Sequence, residues 1–255
     1  MLSFREQLLQ IMDEKDHWGW SQIVGPSVKK HHLLVHFQQE YEVYVRDFPI
    51  FLARVLGRMD GGSAHLKREF AENIYEEQTG GLSAKISKNL SHPELFLKMM
   101  RGLGFGERQF ERVDLLPTSL AYRSYLDLVT LTYDWRVAAC VLGLFVEGSR
   151  EDRARLQKNY RPTSSLAQKL KGHSLAKFHG LKEKDMDLIK AHYMIEGSHR
   201  KSAWDTLLKE VPKSLESDVL RAMQNALELW HLFRDGVCLE MGLANQAFRR
   251  LATVD

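Results

Sequence analysis

The sequence predicts an all-α protein: one helical domain over residues 1–255, a seven-helix bundle with its core at about 27–235. Three observations carry that expectation. Apolar residues recur at three- and four-residue spacing along most of the chain, the signature of one buried helix face. No stretch of useful length alternates apolar and polar residues as a half-buried strand does. Proline and glycine mostly punctuate the periodic segments, and no repeat, low-complexity tract or linker divides them. The 255 residues suffice for one large core.

The elements follow in order. Residues 3–15 carry Phe4, Leu8, Leu9 and Met12 on one side of a short amphipathic helix. His17-Trp-Gly-Trp-Ser is a break. Pro26 and Ser27 read as the next start, with Ser27 as N-cap. Leu33, Leu34, Phe37, Tyr41, Tyr44, Phe48, Phe51, Leu52 and Val55 then keep one helical period, which Pro49 should kink by removing a hydrogen bond. His31, His32 and His36 read as ordinary residues of this helix and not as haem ligands. Asp60-Gly-Gly-Ser is a turn. A helix over about 64–78 stops at Gly80-Gly81, and a polar loop follows. Ser91-His92-Pro93-Glu94 opens another helix, with Ser91 or His92 near the cap and Pro93 at the first helical position, where its missing N–H costs nothing. It ends at Gly102-Leu-Gly.

Pro117 starts a long apolar helix, expected at the centre of the bundle. Leu120, Tyr125, Leu128, Leu131, Val137, Ala138, Val141, Leu142 and Phe145 form its apolar run, and Glu147 closes it. Residues 150–171 are charged and helical with a break at Pro162. Gly172 to Gly180 reads as a loop. The helix of 185–204 follows and ends before Pro212. A last helix runs from about Ser217 to Arg234, and the tail has the apolar residues for one more over 239–251.

Composition limits the function. Hydrophobic residues make up 44% and charged residues 27%, the balance of a soluble globular chain. The net charge of +3 comes from 36 basic residues interspersed with 33 acidic ones, so no basic face selects nucleic acid. Cys140 and Cys238 sit in apolar helical contexts without CxxC spacing and read as reduced thiols of a cytoplasmic protein. The N-terminus lacks the apolar core of a signal peptide, and no run approaches a membrane span of about 20 apolar residues.

The chemistry concentrates in 185–204. His192, Glu196 and His199 stand at i, i+4 and i+7, one stripe of a helix. Two imidazoles and a carboxylate directed at a core are costly without a partner, and a cation is one such partner. Nitrogen and carboxylate donors together suit iron, manganese or zinc better than calcium or magnesium. A solvated helix face is the competing reading of the stripe. Glu147, at the end of an apolar helix, is a fourth donor whose burial would raise its pKa unless a cation held it ionised. Glu77 at one helix end, beside the equally ionisable Glu76, and His92 at the next helix start complete three carboxylates and three imidazoles. Two-metal sites in helical bundles draw such donors from several helices.

Asn73-Ile-Tyr-Glu-Glu77, Ser-His92-Pro-Glu-Leu-Phe, Phe-Val-Glu147-Gly and His192-x3-Glu196-x2-His199 together resemble the ligand series of the haem-oxygenase-like di-iron oxidases and oxygenases. These are relatives of the PQQ-synthesis oxidase and of TenA-like proteins. The resemblance spans about 27–235. It implies a haem-oxygenase-like fold and a non-haem cofactor of two Fe(II) per chain, with no haem. Its catalytic and metal-binding residues would be Glu77, His92, Glu147, His192, Glu196 and His199, with Glu77 preferred to Glu76 because the family's ligand lies four residues after the asparagine. O2 would be co-substrate in oxidative C–C cleavage, decarboxylation, desaturation or N-oxygenation of a small amino-acid-, amine- or fatty-acid-like substrate. An external electron donor and a homodimer are compatible with it; nucleic acid and membrane partners are not expected. Two features depart from the family pattern: Glu196 stands where Asp is commoner, and the loop between Glu77 and His92 is long. Tyr41, Tyr44, Arg46, Tyr133, Arg136 and Tyr193 are the polar groups available to a pocket. The alternatives are a metal-free TenA-like or PQQ-synthesis-oxidase-like enzyme, and a non-enzymatic interaction or regulatory protein on the same scaffold.

Overall fold

The computed structural model describes residues 2–161 and 164–243, with residues 194–202 described as helix backbone alone. All described regular structure is helical, in more and shorter segments than the seven expected. Helix α1, Phe4–Asp13, is capped by the Ser3 hydroxyl, which accepts from the Glu6 amide. Helix α2, Lys30–Glu40, runs directly into a π turn, Tyr41–Val45. Lys29, not Ser27, occupies its N-cap position. Helix α3, Phe48–Leu56, is a separate helix. Pro49 therefore kinks nothing: it sits in the first turn of α3, where no backbone hydrogen bond is lost.

Helix α4, Ala64–Thr79, ends at Gly80, whose φ of +57° is the left-handed conformation glycine adopts without strain. A single helical turn, Ala84–Ser87, occupies the following loop. Helix α5, His92–Gly102, begins with a capping box in which Ser91 and Glu94 each satisfy the other's amide.

The expected long central helix is two helices. Helix α6, Pro117–Thr132, stops where Tyr133 turns extended. Asp134 then caps α7, Trp135–Cys140, by accepting from the Arg136 amide, and α7 continues into a second π turn, Val141–Val146. The break re-aims the apolar face. From Ala138 to Phe145, every residue but Gly143 is fully buried, whereas Leu120, Leu128 and Leu131 of α6 are about half exposed. The middle of the core is thus α7, and those three leucines lie outside it.

A single turn, Asp152–Arg155, then helix α8, Leu166–Gly172, follow. The segment expected as a loop is helix α9, Ser174–His179, started by the His173 ring accepting from the Leu175 amide and stopped at Gly180. The break expected at Pro162 and all but the start of the helix expected over 239–251 lie outside the described residues; residues 239 and 240 belong to the helix before it. Helix α10, Asp187–Glu210, carries the His192 stripe, and helix α11, Glu216–Glu240, is the longest. Helix α11 packs most extensively on α6. Their backbones approach so closely that a Cβ at Gly236 would overlap the Thr118 hydroxyl. One buried apolar cluster takes residues from α1 through α11. No helix among the described residues is long and apolar enough to cross a membrane. Cys140 and Cys238 are buried free thiols, pushed up to about 12 by burial.

Candidate metal centre

A cavity of about 580 Å³ opens between α3, α4, α5, α7 and α10. Its lining is apolar at Val45, Phe48, Leu52, Leu66, Phe70 and Leu207, and carries Glu76, Glu77, His92, Glu147 and His192, with Arg68, Glu69 and Glu72 besides. Both π turns border it, contributing Tyr44 and Val45 from the first and Gly143 and Val146 from the second. An extra residue in a helical turn displaces the following side chains from the α-helical register, and such turns recur at functional sites.

Glu76 and Glu77 end α4, both buried, opposite the capped start of α5. His92 is 5% exposed, and its Nδ1 lies 2.8 Å from Glu77 Oε1. Its Nε2 lies 3.6 Å from Glu76 Oε1, close enough for charge attraction but without a hydrogen-bond partner. Burial opposes a charge on this imidazole, yet the two carboxylates outweigh it and push the pKa up to about 10. Glu76 differs from its neighbour. Its Oε2 accepts from the amides of Leu82 (2.6 Å) and Ser83 (3.1 Å), and its Oε1 accepts from the Ser83 hydroxyl (2.5 Å). Burial raises its pKa, but His92 and these donors together hold it down to about 2. Glu76 is thereby committed to the loop between α4 and α5, leaving Glu77 as the carboxylate with oxygen lone pairs to offer.

The other donors arrive from other elements. Glu147 is exposed, as a helix-end glutamate before Gly148 can be, and not buried, and its Oε1 accepts from Asn73 Nδ2 at 3.0 Å. Asn73 stands one turn before Glu77 on α4, so this bond draws Glu147 to the helix that carries Glu77. His192 is exposed toward the cavity mouth and meets His92 edge to face, ring centroids 5.0 Å apart. The structure therefore brings Glu77, His92, Glu147 and His192 to one cavity; the side chains of Glu196 and His199 lie outside the described residues. Among the described residues, no three or more His, Cys, Asp or Glu side chains stand in the arrangement of a metal site.

The donors nonetheless fit iron. Buried His92 has one nitrogen paired with a Glu77 carboxylate oxygen at 2.8 Å, and a cation replacing the proton between them would find a nitrogen and an oxygen donor together. Its other nitrogen is turned toward the anchored Glu76 carboxylate, as the second nitrogen of a metal-bound histidine commonly is. Imidazole nitrogen with carboxylate oxygen is the donor chemistry of non-haem iron.

Of the polar groups expected to serve a pocket, Tyr44 alone lines this cavity. Tyr41 stacks on Phe96 in the core. Arg46 pairs with Glu42 and Asp47, and Arg136 with Asp60 and Asp134. The Tyr133 carbonyl accepts from Arg58, and the Tyr193 ring lies under Lys169. Among the earlier histidines, His31 is exposed, and His36 is buried in a polar cluster and does not line the cavity. The sequence alone did not disclose the roles of Asn73 and Glu76. The four-residue spacing of Asn73 and Glu77 was the only available signal for the first, and none existed for the second.

A family model shows the family, and solved structures show the fold. The family model described as iron-containing redox enzyme matches residues 35–231, most of the chain. No curated protein matches. A TenA homolog from Pseudomonas syringae pv. tomato superposes with a TM-score of 0.69 at 13% identity, covering 93% of each chain. A domain of unknown function with a heme oxygenase-like fold from Shewanella denitrificans superposes at 0.61 with 16% identity, covering 93% of this chain and 92% of that one. At those identities the two structures show the fold, which is heme-oxygenase-like. The chain belongs to the family of iron-containing redox enzymes.

Proposed function

We propose that this protein is a non-haem di-iron oxidase or oxygenase that uses O2 to oxidise a small molecule. The observation that carries the reading is the meeting of Glu77, His92, Glu147 and His192 on one cavity, drawn from four helices. Glu77 and His92 would hold iron on one side, Glu147 and His192 on the other, and Glu196 and His199 would complete the six donors. Bound iron supplies the redox capacity that no protein side chain here has. The chain's own residues bind, orient and shield. Glu76, anchored on Leu82 and Ser83, turns the His92 ring, and Asn73 fixes the Glu147 carboxylate. The apolar wall from Phe48, Leu52, Leu66 and Phe70 excludes water and seats an apolar substrate body. Arg68 and Glu72 on the same cavity offer both charges, which favours a substrate bearing an amino group and a carboxylate, an amino acid, over a fatty acid. A metal-free enzyme of this fold would not need the buried His92–Glu77 pair beside the cavity.

Anaerobic loading with ferrous iron tests the proposal. The folded protein should bind about two irons per chain, as two-metal helical sites do. His92→Ala and Glu147→Ala should each lose iron while keeping the helical signal, and His31→Ala should lose none. O2 consumption by the loaded protein should accelerate with amino acids more than with fatty acids. Folded protein that binds no iron under reducing conditions would overturn the reading.

A further inference from the structure

The carboxylate at Glu147 sits at the end of a π turn, on backbone that its own helix cannot fully satisfy. A helix C-terminus leaves carbonyls without intrahelical partners. Here the Glu147 amide bonds back to the Leu142 carbonyl and the Gly148 amide to the Phe145 carbonyl, after which the helix stops. Lys15, from the segment just after α1, reaches this end. Its Nζ donates to the carbonyls of Phe145 (2.5 Å), Val146 (3.3 Å) and Gly148 (2.7 Å). An ammonium has three protons, and these three acceptors bracket Glu147 on both sides. The same Nζ lies 4.6 Å from the Phe145 ring centroid and 5.8 Å from that of Trp230, so its position is fixed by aromatic faces as well.

From this geometry we infer that Lys15 is a positioning residue for Glu147, holding the backbone on either side of it so that its carboxylate meets Asn73 at the cavity that Glu77 also lines. The inference rests on the metal-binding role proposed above for Glu147. Lys15 lies 130 to 133 residues from the carbonyls it caps and ahead of the segment 35–231 that matches the family. The clamp is thus supplied by a part of this chain outside the family match. A cation at a helix C-terminus also stabilises it through the dipole, so a purely structural cap is the alternative that the test must exclude.

The test uses the full chain, loaded anaerobically with Co(II) as a spectroscopic stand-in for ferrous iron, and reads affinity and the visible ligand-field bands. The parent should bind two ions. Lys15→Met keeps the apolar stem and removes the three donors. It should weaken one of the two ions by about tenfold or more, the usual effect of losing a group that orients a ligand, and alter the visible bands. Lys15→Arg should restore much of both. Lys15→Gln, which keeps two donors, serves if the methionine variant does not fold, and should weaken the same ion by a smaller factor. Adding Lys15→Met to Glu147→Gln should weaken metal no further, because the residue it orients is already gone. A lower melting temperature with unchanged affinity and bands would make Lys15 a cap alone and overturn the inference. A further loss in the double variant would overturn it equally. A parent that binds no Co(II) or Fe(II) would instead sink the metal-binding proposal, and this inference with it.

Discussion

Acid should begin to destabilise this protein through His36 before it reaches the ordinary carboxylate range. His36 is 1% exposed on α2, and burial is the largest influence on it, lowering its pKa from 6.5 to about 4. Glu40, 3.6 Å from its Nε2, pulls the other way, and Arg234 of α11 adds to the lowering. Glu40 is itself spent: its Oε1 lies 2.6 Å from Arg234 Nη1 and accepts the Tyr44 hydroxyl at 3.0 Å. The Trp20 ring covers the cluster from the short turn before α2, its centroid 4.7 Å from the Arg234 guanidinium. Above pH 6.5 His36 is neutral both folded and unfolded and contributes no pH dependence. Below it, the unfolded chain takes a proton that the folded chain refuses, so stability falls until pH about 4, where the folded protein also protonates. At about 1.36 kcal/mol per pH unit, the loss is about 2 kcal/mol by pH 5 and about 3 kcal/mol in full. Urea unfolding of the parent and of His36→Leu at pH 7.5, 6, 5 and 4.5 isolates the contribution. The stability difference between the two should shift toward the variant by those amounts across that range. A difference that stays constant from pH 7.5 to 4.5 would refute the reasoning. Glu40, held below its usual pKa against the cost of burial chiefly by Arg234, adds a further loss as pH falls below the ordinary carboxylate range.

Two further outcomes are expected. Gly80→Ala should destabilise the protein by at least about 1–2 kcal/mol in urea unfolding, the cost of a left-handed side chain; its φ is +57°, and the new methyl would also press on the Leu90 carbonyl and the Ser87 side chain. An unchanged midpoint would show that the loop after α4 gives way freely. Glu76→Gln and Glu77→Gln should separate: the first should lower stability by about 2 kcal/mol, since a charged acceptor of three hydrogen bonds is lost, and should retain iron. The second should lose iron and also cost stability, because it removes one of the carboxylates that offset the buried His92 charge, and iron analysis showing the reverse pattern would reassign the ligand.

The legible parts of this protein were those whose causes are local in the chain. Apolar periodicity marked α1, α4, α5 and α11 because one helix face must be buried. Ser91 and Glu94 announced the start of α5, and Gly80 the end of α4, because caps are made by residues within a few positions of the terminus. The spaced donors, with His92 on a cap and Glu77 one turn after Asn73, were enough to point to a metal-binding family, and the match over 35–231 bears out that family. Other features depended on contacts between distant residues, to which periodicity is blind. Asp134 splits the expected central helix, and Leu128 and Leu131 face solvent because α6 spends its buried face on α11. The π turns at 41–45 and 141–146 preserve helical spacing in sequence while rotating the next residues to new directions in space. Which tyrosine reaches the cavity, which of two adjacent glutamates is tied to a loop, and which lysine caps the backbone beside Glu147 were decided only by tertiary structure. A hydrogen bond across 130 residues leaves no pattern in the residues beside either of its ends.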